Sequence, residues 1–151
     1  MTPSFRFGLE RVKSLREQAE DSAREELARE LALRMRGEAI LRRAAAAAAA
    51  ARDTGRDSAV RGASGADLLA AQHWIEVADR RRREAALDLD RQDAEVDARR
   101  AALVEASRER EVIARLEARR RDEHQREAAR LAQIDLDEVA LTVHRRRGVA
   151  A

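Results

Sequence analysis

Apolar residues recur along the first part of the chain in steps of three and four. They are Phe5, Leu9, Val12, Ala19, Ala23, Leu27, Leu31 and Met35, with Arg16 in the one gap. Such spacing gathers them on one side of an α-helix, whose 3.6-residue repeat returns to the same face every three or four positions. Acid-before-base pairs at four-residue spacing flank the stripe: Glu20–Arg24, Glu25–Arg29, Glu30–Arg34 and Glu38–Arg42. Each exposed pair of this kind adds roughly 0.2–0.5 kcal/mol to a helix. The run Ala44–Ala51, built from the residue of highest helix propensity, carries the expected first helix from about residue 5 to about residue 52.

The pattern then breaks. "DTGRDSAVRGASG" holds Gly55, Gly62 and Gly65 among Ser and Asp, which predicts a turn over about residues 53–65. Ser64 followed by Asp67 has the form of a helix N-cap with an acidic residue three positions on. A second helix is expected from about residue 66 to residue 145. Its seam is a heptad, with Ile75, Arg82, Leu89, Val96 and Leu103 at one position and Ala78, Ala85, Gln92, Arg99, Ala106 and Ile113 at the other. The polar members make it weaker than a leucine zipper. After Leu116 the apolar signal stops, and Leu131, Ile134, Val139 and Leu141 resume a stripe near the end.

Folding back at about Ser58–Val60 sets Phe5 near Ala114, Ala23 near Val96 and Leu31 near Asp88. The seam of the second helix therefore runs out where its partner does. The expectation is an all-α fold, a single coiled-coil domain over residues 1–151, formed as a long antiparallel two-helix hairpin with the second helix projecting beyond the first. At 1.5 Å per residue the helices would be about 70 and about 120 Å long. This register also sets Ala44–Ala51 opposite Leu68–Ile75, small residues leaving room for large ones. The competing explanation is an alanine expansion that any exposed helix tolerates.

Composition supports helices over a globular core. Charged residues make up 40% of the 151, aromatics 2%, and the 44% hydrophobic share is mostly alanine. Such a chain forms a one-dimensional seam, and its single proline, Pro3, precedes the expected helices. Thirty-one basic residues against twenty-nine acidic ones leave +2, too little for a nucleic-acid field. With no Cys there are no disulfides or thiolate metal sites. The N-terminal stretch lacks the apolar run of a secretory signal, and no run is long enough to span a membrane, so the expected compartment is the cytosol.

Catalytic patterns are missing. The three glycines of the break match neither a dinucleotide nor a Walker loop. Asp88/Asp90 and Asp135/Asp137 sit two apart, and on a helix such pairs point about 200° apart, so neither pair converges on one ion. His73, His124 and His144 are widely separated and expected at the surface. Arg80–Arg83 ahead of the Leu89/Val96/Leu103 heptad has the outline of a basic zipper, but Glu76 and Asp79 precede it, Glu84 follows it, and the chain has no Asn. A non-enzyme without cofactor or metal is expected.

Three segments together resemble the flagellar FliJ proteins. "FRFGLERVKSLREQAEDSAREELA" has paired aromatics, the Leu9–Val12 step and the Arg–Glu spacing. "LLAAQHWIEVADR" restarts the second helix with an aromatic-aliphatic pair after Gln72. "IDLDEVALTVHRRR" is similar to a near-terminal signature carried here by Asp137, Glu138, Val139 and Ala140. The octa-alanine run and the glycine-rich turn depart from the family pattern. The resemblance implies a stalk or escort in the flagellar type III export apparatus, and so a part in flagellum biogenesis, motility and chemotaxis. It further implies a position peripheral to the cytoplasmic face of the inner membrane, held through partners. Those implied partners are the export ATPase FliI and its regulator FliH, the export gate FlhA, and flagellar export chaperones. Trp74, Ile75 and Ala78, with Asp137, Glu138, Val139 and Leu141, are the candidate partner-binding residues. Two other readings stay open: a self-associating structural coiled coil, and the equivalent stalk of a virulence secretion system.

Overall fold

The computed structural model describes the backbone of residues 4–149 and the side chains of residues 4–145; Pro3 lies outside the described residues. Two helices form an antiparallel hairpin, α1 over Glu10–Val60 and α2 over Gly65–Val149. α2 starts one residue before the expected position 66 and runs four residues past the expected 145. The ends of α1 depart further. It starts at Glu10 instead of residue 5, because Gly8 is a poor helix residue and Phe5 is held by side chains of α2. It also runs eight residues beyond Arg52, straight through Gly55. A methyl group at Gly55 would stand 3.0 Å from Cδ1 of Ile75. That glycine makes room for a neighbour and does not break the helix.

The turn is correspondingly short. Gly62 has φ +75°, and the N–H groups of Ala63 and Gly62 donate to the carbonyls of Ser58 (3.1 Å) and Ala59 (3.2 Å). This pair of bonds closes the C-terminus of α1 as a Schellman motif. Ser64 then caps α2 reciprocally. Its Oγ accepts from the Asp67 N–H at 3.2 Å, and the Asp67 carboxylate accepts from the Ser64 N–H at 3.2 Å. Space around Gly62 is open, so its requirement is purely one of backbone conformation. Gly62→Ala is expected to cost roughly 1–2 kcal/mol through the left-handed conformation alone. A urea titration would register this as a lower midpoint at unchanged slope.

Moving the fold-back point by one residue moves every partner by two, so the longer α1 shifts the whole register. Packing divides the chain into two compact units. In the unit Glu20–Glu105, Glu26 pairs with Arg99 at 2.8 Å, Arg34 with Asp93, and Gly37 lies against the Gln92 side chain. Val96 and Asp88 therefore do not face Ala23 and Leu31. The buried face of α1 here steps 4, 3, 4, 3 through Ala23, Leu27, Glu30, Arg34, Gly37, Leu41, Ala44, Ala48, Ala51 and Gly55. Leu31 and Met35 are exposed instead, because successive steps of four drift off a 3.6-residue face. The α2 seam is as the heptad predicts, with every member from Ile75 to Arg99 buried or half-buried. Among the described residues Val96 is the large side chain that is fully buried, with Ala48 and Ala85 completing a thin core. Glu20, buried on the same face, is held by Arg24 at 2.7 Å. Glu25–Arg29 forms as expected at 3.2 Å, whereas Arg34 turns to Glu38 and Asp93, not to Glu30.

The second unit joins the segment up to Ala19 with Ala106 onward. Lys13 meets Glu117 at 3.0 Å and Arg16 meets Glu109. The Phe5 ring stands edge-on to His124, centroids 5.7 Å apart, and the Arg121 guanidinium lies 5.5 Å from the Phe5 ring centre. Pairing thus extends to His124, beyond Leu116 where the apolar signal stops, because charged and aromatic side chains carry it on. From Ala129 to Arg145 every residue of α2 is exposed. This is the projecting segment, shorter than the seam's end suggests.

Candidate partner-binding surfaces

The candidate residues fall into two groups, one in each unit. In the unit Glu20–Glu105, Trp74 and Ala78 line an open apolar groove of ≈ 770 Å³. Its floor is alanine from both helices, including Ala44, Ala51, Ala71 and Ala85. Ile40 and Val77 stand with Trp74 along its margins. Ile75 turns inward against Gly55 and is half-buried. Trp74 is 64% exposed, and Leu68 and Leu69 are exposed as well. The alanine run therefore does not accommodate these bulky residues. It faces the alanines of α2, small against small, because the corrected register moves Leu68–Ile75 toward the turn.

An ion pair outside the groove ties the two helices in the same unit. Arg52 donates to Asp79, and that hydrogen bond, more than any other influence, holds the Asp79 carboxyl below its ordinary range. A depressed carboxylate contributes its tie above the unfolded-state value and loses it as pH falls through the folded one, so this tie weakens toward acid.

The second group lies on the exposed segment. Asp137 accepts a hydrogen bond from Gln133 at 2.9 Å, and the Glu138 backbone carbonyl accepts one from the Thr142 hydroxyl at 2.8 Å. Val139 and Leu141 are exposed by 61% and 57%. They point in different directions, being two residues apart on a helix. Leu141 continues the hairpin seam with Leu131 and Ile134. Val139 belongs to a separate stripe, Ala129, Ala132, Leu136, Val139 and Val143, in steps of 3, 4, 3 and 4. A free helical segment with two apolar stripes offers surfaces to neighbours on more than one side.

Sequence reasoning missed Ile40 and Val77 in the groove, and Leu136 and Val143 on the segment. The second stripe is readable from its spacing of three and four. Ile40 offered no such signal, since its place depends on the register between the helices. Phe5, Arg121 and His124 come together through a non-helical segment that periodicity does not describe.

The class these observations define is an all-α helical hairpin with a thin seam and, in each unit, an exposed apolar surface. Among the described residues no helix is long and apolar enough to cross a membrane. The family model of the flagellar FliJ protein matches residues 5–149. The chain belongs to the FliJ family and is thereby a component of flagellar type III protein export, a family without catalytic function. No curated protein and no solved structure gives a significant match to it.

Because Trp74 is mostly exposed, its truncation opens no cavity. Trp74→Ala is expected to change stability by less than about 1 kcal/mol, as for other surface positions. A thermal melt followed by circular dichroism checks this, and a drop larger than that would mean the indole packs within the hairpin.

Proposed function

We propose that this FliJ protein acts as a cytoplasmic stalk and escort in flagellar export, linking the export ATPase FliI and its regulator FliH to the export gate FlhA and to export chaperones. The observation that carries the reading is the segment Ala129–Arg145, exposed throughout yet striped with apolar residues on two sides. A stalk turning or seated inside a ring of subunits meets neighbours all around, and two stripes suit that position better than one. The groove beside Trp74 is the second contact, assigned to the gate, since exposed tryptophan is a favoured anchor at interfaces. Peripheral location at the inner membrane follows from those partners. The test is co-purification of the full chain with the ATPase and, separately, with the cytoplasmic part of the gate. A chain that binds neither fails the proposal.

The self-associating coiled coil makes a different prediction about the seam. Gly37 and Gln92 are in contact, and a side chain at position 37 would meet the Gln92 amide. Cysteines at positions 37 and 92, in a chain with no native Cys, should crosslink within one molecule at low concentration. Dimeric products on a non-reducing gel would favour the filament-forming alternative.

A further inference from the structure

We infer that the alanine-floored groove receives a single amphipathic α-helix of a partner, one whose apolar stripe is flanked by carboxylates, so that a local three-helix bundle forms. This rests on the reading that the Trp74 face meets a partner, and specifies the chemistry of that partner. Shape supports a helix. The groove follows α1 from Ile40 to Thr54, about 21 Å at 1.5 Å per residue, the length of four helical turns. Its floor carries methyl groups and little else, which lets a third helix axis approach to the usual packing distance of about 8–10 Å. Its polar groups, Arg43, Thr54, Arg81, Glu84 and Asp88, sit along the rims and do not converge on one point as those of a small-molecule site do.

Charge supports an acidic helix. Arg43 stands on the α1 rim and Arg81 on the α2 rim, and neither makes an ion pair among the described residues. Of the rim carboxylates, Asp88 is already held by Arg91 at 3.1 Å, and Glu84 on the α2 rim leaves the two arginines in excess. An arriving helix therefore meets an uncompensated guanidinium on each side of its apolar stripe, and carboxylates at its flanks complete both pairs. Charge complementarity of this kind selects partners and speeds their encounter. The octa-alanine run then has a role: it is the bed on which the third helix lies.

The test uses the full chain and its single tryptophan as reporter. Two tryptophan-free synthetic helices of about 18 residues, long enough to be helical alone, share one leucine stripe and differ only in carrying glutamate or lysine at the flanks. The acidic peptide should shift Trp74 emission to the blue and bind at least about tenfold more tightly than the basic one. Ala47→Glu, which fills the groove from an exposed position without touching the seam, should abolish the shift. The pair Arg43→Glu and Arg81→Glu should reverse the preference to the basic peptide. Equal affinity for both peptides, or binding unchanged by Ala47→Glu, overturns the inference. So does a mass that doubles with concentration and returns to the monomer with Ala47→Glu, because the groove's occupant is then a second copy. If the cytoplasmic part of the gate binds the Ala47→Glu chain as well as the unaltered one, this inference fails while the export role stands.

Discussion

A chain ended after Ala128 is expected to melt at the temperature of the full-length protein and to lose its association with the export ATPase. The two halves of this result have separate causes. Residues from Ala129 to Arg145 are exposed at every position, so their removal takes no packing from the hairpin. The Phe5–His124 contact and the Lys13–Glu117 pair both remain, whereas a cut at Leu116 would remove them. Loss of binding follows if the stripes through Leu136 and Leu141 are the surface that the ATPase holds. Co-sedimentation of ATPase with the truncated and complete chains measures it. Undiminished binding by the truncated chain would move the contact onto the paired region, and a lowered melting temperature would show that the segment contributes to the fold.

Val96→Asp is expected to unfold the unit Glu20–Glu105 under conditions where the original chain is folded. Val96 is 2% exposed and lies on the seam between Leu89 and Leu103. A carboxylate there would be buried where the basic side chains one turn on are already engaged, Arg99 with Glu26 at 2.8 Å and Arg100 with Asp97 at 3.2 Å, and an uncompensated buried charge costs on the order of 3–5 kcal/mol. The thin core has little to set against that. Val104, on the same helix and 49% exposed, is the control: Val104→Asp should alter stability by no more than about 0.5 kcal/mol. Helicity at 222 nm against temperature distinguishes the two. Similar melting for both variants would mean that the seam does not hold the hairpin together.

The two helices, the heptad of α2 and its Ser64 cap were legible because each rests on local spacing. So was the family, since its motifs are short and ordered along the chain. The end of α1 was not. Gly55 reads as a helix breaker in one dimension, and only the Ile75 side chain pressed against it explains why glycine stands inside a helix. That one misplacement carried through the register and set the alanine run against Leu68–Ile75. The groove depends on which residues of two distant stretches come side by side, and so inherited the same error. The exposure of Trp74 was not legible either, since the expected register set it against the alanine run.

The tight connection at Gly62 also bears on the order in which the molecule assembles. Arg52 and Asp79 are 27 residues apart along the chain, whereas Arg16 and Glu109 are 93 apart. Closing the longer loop from an unfolded chain costs about 1 kcal/mol more entropy than closing the shorter. Once the nearer pair has met, however, each further pair needs only the next turn of each helix to settle. Assembly therefore proceeds like a zip started at the reversal of the chain, with the aromatic contact of Phe5 among the last to form and the first to open. Mutations near Gly62 should slow folding, and those near Phe5 should chiefly hasten unfolding. A nascent chain can begin this process only after the reversal and the first turns of α2 have left the ribosome.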